Sequence, residues 1–165
     1  MKYVFDTCSI RALQHFYPAI FGSIWQKIDE LVEHEEMIST KEVFNELKRQ
    51  DISKELQEWV KNKKSIFKKP TAEETEFVSE ILRTQNFAGL IGKKQQLKGQ
   101  PVADPFVVAC AKQYNATVVT EEGWDHDKDE LEPKPKAAKI PNVCQHFGIR
   151  CIDLETFMNE QGWRF

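Results

Sequence analysis

The chain opens on a short apolar run, Tyr3-Val4-Phe5, halted by Asp6, and three bulky β-formers in succession predict a buried strand. From Tyr17 onward, Ile20/Phe21, Ile24/Trp25, Ile28 and Leu31/Val32 recur at helical spacing. They predict an amphipathic helix that ends in the acidic stretch near residues 33–36. Met37-Ile38 predict a very short strand, and Thr40 is placed to cap a helix whose inner face is Val43, Phe44 and Leu47. On that helix Glu42 and Glu46 stand four residues apart and share a face. Residues 53–62 predict a helix through Leu56, Trp59 and Val60. Thr71 with Glu74 fits a capping box ahead of Phe77, Val78, Ile81 and Leu82. Asp104-Pro105 reads as the capped start of a strongly apolar helix through Phe106, Val107, Cys110 and Ala111. Residues 117–120 (TVVT) and 148–152 read as strands, and Asp153 as the cap of a closing helix through Leu154, Phe157 and Met158.

Two stretches break the pattern. Residues 87–100 hold three glycines and several lysines, and predict a loop or a frayed end. Residues 121–142 hold three prolines and many charges, and predict a long surface loop outside the core. Loops of that length in small domains are usually functional or disordered. Strands alternating with helices otherwise predict an α/β fold with a parallel sheet, and 165 residues suit a single domain spanning 1–165. Each strand-to-helix junction then lies at the carboxyl edge of the sheet, where such folds bind ligands.

Composition removes several function classes. With 41% hydrophobic and 30% charged residues, the chain is too apolar for a disordered protein. No apolar run approaches the roughly 20 residues of a membrane span, so no membrane association is expected. A net charge of −3 argues against coating nucleic acid by bulk attraction. Local basic tracks remain at Lys48, Arg49, Lys61, Lys63, Lys64, Lys68 and Lys69, and at Lys93, Lys94 and Lys98. Their simpler reading is a solvated face, and the alternative is a phosphate-tracking edge. The start MKYVFD reaches a charge too early for a secretory signal, and Cys8, Cys110, Cys144 and Cys151 are too scattered for a disulfide framework. A reducing, cytoplasmic setting is expected. Cys144, His146 and Cys151 match no standard zinc spacing, and Cys8, with no histidine near it in sequence, is read as packing. Trp25, Trp59 and Phe77 are read as core.

The informative residues are acids at junctions. Asp6 ends the first strand, Glu42 and Glu46 follow the second, Asp104 opens a helix, and Glu121, Glu122 and Asp125 follow TVVT. A doubly wound sheet would bring them into one cleft. Two unit charges about 4 Å apart repel by about 4 kcal/mol at an effective dielectric near 20, so gathered carboxylates require cations or protons. An all-oxygen donor set suits Mg²⁺ or Mn²⁺ rather than zinc. Such ions activate water and neutralise the leaving oxygen in phosphodiester hydrolysis. A phosphatase built on Asp6 as nucleophile in an Asp-x-Asp motif would need an acid where Cys8 stands.

Four motifs in order, FDTCSI (5–10), EVFNEL (42–47), ADPFVVACA (103–111) and TVVTEE (117–122), resemble those of the PIN-domain nucleases. The ending KIPNVCQHFGIRCIDL (139–154) further resembles a prokaryotic branch of PIN-like proteins. The resemblance implies a three-layer sandwich, a parallel sheet flanked by helices, and a metal-dependent endoribonuclease using Mg²⁺ or Mn²⁺ on an RNA substrate. Many small prokaryotic members are VapC-type toxins neutralised by an antitoxin protein, which adds that partner and leaves a homodimer open. A catalytically idle module that binds RNA or a protein is the competing expectation.

Residue by residue, Asp6, Glu46 and Asp104 match the family's acids. The fourth position, normally aspartate two residues after a threonine, is Glu122 here, one methylene longer, with Glu121 and Asp125 as alternatives. Glu42 is the alternative to Glu46. Thr7 and Ser9 match a hydroxyl-rich turn that would orient Asp6 or touch a phosphate. Lys134, Lys136 and Lys139 are expected to lie over the cleft, holding substrate or screening the carboxylates.

Overall fold

In the computed structural model, which describes residues 1–84, 87, 102–125, 130–131 and 138–165, strand β1 (Tyr3–Phe5) is the middle of a five-stranded parallel sheet. Its neighbours are β2 (Met37–Thr40) on one side and β4 (Thr117–Val119) on the other. The flanking strands are β3 (Phe67–Lys68) and β7 (Cys151–Ile152), so the order is β3-β2-β1-β4-β7. Register pairs Val4 with Ile38 and with Val118, and Val119 with Ile152.

Helices α1 (Thr7–Ala12) and α2 (Gly22–Glu33) lead from β1 to β2; α3 (Lys41–Arg49) and α4 (Lys54–Asn62) lead on to β3. Helices α5 (Ala72–Arg83) and α6 (Ala103–Tyr114) precede β4, α7 (Ile140–Phe147) precedes β7, and α8 (Leu154–Glu160) closes the chain. From β1 the chain steps one way to β2 and β3, then the other way to β4 and β7. Right-handed crossovers therefore place helices on opposite faces of the sheet. The direction reverses between β1 and β4, and that reversal makes the crevice at their carboxyl ends. This is the expected α/β class.

Burial explains the strand sequences. Val4, Val118 and Val119 are fully buried, as central parallel strands covered on both faces must be. Helix α6 buries Val107, Val108 and Cys110, which accounts for its nearly continuous apolar run. The rings of Tyr3 and Phe5 meet Phe157 edge-on at 4.8 and 5.1 Å, docking α8 on the sheet. Trp25 packs on Trp59 at 5.8 Å, joining α2 to α4, so both are core residues. The expected caps form at Thr40 and Asp153, the Thr71–Glu74 capping box is complete, and Ser53, expected inside its helix, caps it instead.

Several boundaries differ from the sequence reading. Helix α2 begins at Gly22 rather than near Tyr17, because Pro18 lies in a turn in which Ile20 and Phe21 both donate to the Tyr17 carbonyl. Ile20 is accordingly 72% exposed despite its helical spacing. Helix α6 begins at Ala103, so Asp104 is its second residue and not its cap; the cap position, Val102, offers no side-chain bond. The expected strand over 148–152 shrinks to Cys151–Ile152, because Gly148 takes a left-handed φ of 66° and ends α7. Helix α7 itself falls partly within the expected surface loop: Ile140, Pro141, Val143 and Cys144 are buried. That stretch also contains a short antiparallel pair, β5 (Trp124–Asp125) with β6 (Glu130–Leu131). The expected loop over 87–100 lies outside the described residues except Phe87, whose ring packs against His146 at 5.1 Å. Lys93, Lys94, Lys98, Lys134 and Lys136 also lie outside them. No described helix is long and apolar enough to cross a membrane.

Candidate active site

Asp6 follows β1 directly and caps α1. Its Oδ1 accepts the Ser9 N–H at 2.7 Å and its Oδ2 accepts the Thr120 hydroxyl at 2.5 Å, while its own N–H bonds the Val119 carbonyl at 3.2 Å. The Ser9 hydroxyl lies 2.9 Å from the Val119 carbonyl and 3.1 Å from that of Asp6, stitching the ends of β1 and β4 together. Asp6 is only 2% exposed. Burial pushes its carboxyl up to about 6 against the bonds from Thr120 and Ser9, and the nearby Glu122 adds to the rise.

Thr120 is fully buried at the end of β4, and its Oγ1 also accepts the Glu122 N–H at 3.1 Å, forming a tight turn. Gly123, with φ of 76°, continues the turn, and a Cβ there would meet Pro141 Cγ at 3.3 Å. This geometry separates the adjacent glutamates. Glu121 points away, its Oε1 accepting the Leu154 N–H at 2.7 Å at the start of α8. Glu122 joins the acids: burial raises its carboxyl and Glu46 adds to the rise, while Lys139, Cys8 and the Ile140 N–H oppose it. Asp125 lies in β5.

Glu46 arrives from α3. Its Oε2 accepts the Thr7 hydroxyl at 2.5 Å and its Oε1 accepts the Ala103 N–H at 3.0 Å. Asp104 is next in line on α6, and no described residue donates a hydrogen bond to it or pairs with its charge. Its carboxyl is held well above the ordinary range by burial first, then by Glu122, Asp6 and Glu46. The structure thus gathers Asp6, Glu46, Asp104 and Glu122 into one electrostatic group at the reversal between β1 and β4. Glu42 belongs elsewhere; it acts on Glu74 and Cys110, on the side toward α5.

Cys8 reaches the same group, its thiol 3.8 Å from Glu122 Oε1. Burial, then Asp6 and Glu122, push it up to about 12, so it is a neutral thiol and no nucleophile. The Cys144–His146–Cys151 stretch is otherwise engaged. The His146 ring packs on Phe87 and Phe147, and a hydrogen bond with Cys144, then burial, keeps Cys151 protonated.

Among the described residues, no three acidic, histidine or cysteine side chains surround a common point closely enough to hold an ion as they stand. The donor chemistry still fits a hard divalent cation. Asp6, Asp104 and Glu122 offer carboxylate oxygens, Asp104 has no hydrogen-bond donor among the described residues, and the carboxyls are raised first by burial and then by mutual repulsion, the part that a cation would relieve. In the sequence Thr120 marks only the spacing to Glu122. Its position directly after a buried strand was the available signal that its hydroxyl faces Asp6.

Fold and site together define an α/β protein with a partly buried acidic cluster at the switch point of a parallel sheet. Residues 3–165 match the model of a family described as a domain of unknown function (DUF4411), and the chain belongs to that family. Comparison with curated proteins finds no match. Among solved structures the chain is similar to VapBC2 from Rickettsia felis bound to a DNA fragment from their promoter, with TM-score 0.48, 15% identity and coverage of 93% of this chain and 98% of that one. It is also similar to VapBC-1 from nontypeable Haemophilus influenzae (TM-score 0.49, 13% identity, 93% and 98% covered). A third similar structure is PAE2754 from Pyrobaculum aerophilum (TM-score 0.47, 13% identity, 97% and 96% covered).

Proposed function

We propose that the protein is a divalent-metal-dependent endoribonuclease, with Asp6, Asp104 and Glu122 holding Mg²⁺ or Mn²⁺ and Glu46 supporting them. One observation carries this reading: acids from four separate segments meet at the crevice, and Asp104 is left with three carboxylate neighbours and no donor among the described residues. Crowding carboxylates at a partly buried crevice opposes folding, and such perturbed groups mark sites of chemistry. When bound, the metal supplies a water of lowered pKa and neutralises charge on the leaving oxygen.

The chain's own residues do the positioning. Thr120 and the Ser9 N–H occupy both oxygens of Asp6 and fix its rotamer. The Thr120 turn aims Glu122 into the crevice, and Lys139 moderates its charge. The four motifs named above extend the reading from phosphodiester chemistry to RNA, and to a toxin restrained by an antitoxin.

The competing reading, an idle module that binds RNA or protein, is favoured by the longer Glu122 side chain and its bond to Cys8. The test is cleavage of a mixed RNA pool with and without Mg²⁺ by wild type and Asp6→Asn. Metal-dependent cleavage lost in the variant supports the nuclease. RNA binding without cleavage supports the module, and hydrolysis of small phosphate esters instead would indicate a phosphatase. Growth arrest on expression, relieved by a co-expressed neighbouring gene product, would support the toxin assignment.

A further inference from the structure

The N-terminus of α6 has no cap of its own. Val102 occupies the cap position without a side-chain bond, and the first helical N–H, that of Ala103, is satisfied by Glu46 Oε1 from a helix 57 residues earlier. The other oxygen of the same carboxylate accepts the Thr7 hydroxyl, in the turn that follows Asp6. Glu46 therefore spans three segments: α3, which carries it; the Asp6 turn; and the start of α6, one residue before Asp104. A negative group at a helix N-terminus also meets the favourable end of the helix dipole. Charge-assisted bonds of this kind hold geometry more firmly than neutral ones.

We propose that Glu46 is a positioning residue that sets the separation of Asp6 and Asp104 by clamping the segments that bear them. This assignment rests on the nuclease reading of the same site, but it concerns how the site is held rather than what it cleaves. Two hydrogen bonds, one to each oxygen, are what a strut requires. A glutamine can keep both, its carbonyl accepting from Ala103 and its amide donating to the Thr7 hydroxyl, whereas an alanine keeps neither.

The test compares Glu46→Gln, Glu46→Ala and Thr7→Val with wild type, reading amide hydrogen exchange at Ala103 without metal and the rate of RNA cleavage with Mg²⁺. Glu46→Ala is expected to speed Ala103 exchange by about tenfold or more, as loss of a local hydrogen bond lowers the opening free energy there. Glu46→Gln is expected to restore most of the protection and to recover most of the cleavage lost in Glu46→Ala. Thr7→Val, which removes one end of the strut, should lower kcat more than it changes KM. Unchanged Ala103 exchange in Glu46→Ala overturns the clamp. Full protection of Ala103 in Glu46→Gln, with cleavage as low as in Glu46→Ala, overturns it too, because the carboxylate charge itself would then be needed. If wild type cleaves no RNA, the nuclease reading falls, while the exchange data still decide whether Glu46 holds α6 in place.

Discussion

Replacing Glu74 with glutamine should stabilise this protein at neutral pH and leave it nearly unchanged in acid. Glu74 is 2% exposed at the start of α5. Its Oε2 accepts the Thr71 N–H at 3.4 Å to close the capping box, while its Oε1 is buried with no partner. Across from it on α3, Glu42 Oε2 is also buried without a partner. Burial raises the Glu74 carboxyl, and Glu42 and Glu73 raise it further; burial likewise raises Glu42, opposed by Thr40 and Lys41. Glutamine retains a carbonyl for Thr71, removes the buried charge, and puts an amide donor where the orphaned oxygen stood. A buried polar group without a partner costs about 1–3 kcal/mol, so recovering part of that suggests a gain of about 1–2 kcal/mol. For a chain of this length that corresponds to a rise of roughly 2–8 °C in Tm. The sign with pH follows from linkage: a native carboxyl pKa above the unfolded value of about 4.3 means the folded state binds more protons. Wild-type stability therefore falls as pH rises from that value through the native pKa and stays reduced above it. Glutamine shows no such fall. Urea or thermal unfolding of both proteins between pH 4 and pH 8 measures this. A variant less stable than wild type at pH 7.5, or an advantage as large at pH 4 as at pH 7.5, would refute the account.

Asp104→Asn removes the charge that faces Glu122, Asp6 and Glu46, and, since Asp104 is not the cap of α6, loses no capping bond. The variant should melt higher than wild type without metal and gain less from Mg²⁺, as scanning calorimetry with and without the ion would show. Because the Asp6 carboxyl is raised to about 6, metal-free stability should decline as pH rises through about 6, while Mg²⁺ binding should tighten over the same interval as the proton leaves. Calorimetric titration at pH 5 and pH 7.5 reads the second effect, and equal affinities would count against Asp6 as a ligand. Thr120→Val strips the donor from Asp6 Oδ2 and should destabilise by about 1–3 kcal/mol while moving the Mg²⁺-binding midpoint to higher pH. An unmoved midpoint would show that Thr120 does not govern Asp6.

Much of this molecule was legible one residue at a time. Tyr3-Val4-Phe5 and Thr117-Val118-Val119 declare buried strands, and Thr40, Thr71 and Asp153 cap their helices through bonds reaching only three residues ahead. Helix α7 was hidden because its buried face, Ile140, Val143 and Cys144, follows a proline- and charge-rich stretch that reads as loop. The start of α6 differs from its sequence pattern for a related reason. Asp104 has the residue type of a cap, but the bond that starts the helix comes from Glu46.

By itself the sequence determined the parallel α/β class and the acids that stand at its junctions, because period, capping and burial are local consequences of side-chain type. Only the tertiary structure decided between neighbours: Glu122 turns toward Asp6 while Glu121 accepts the Leu154 N–H, and Glu46 joins the cluster while Glu42 lies against Glu74. Those choices depend on which strand ends lie side by side, and that is set by the reversal of the sheet between β1 and β4, far apart in the chain and adjacent in space.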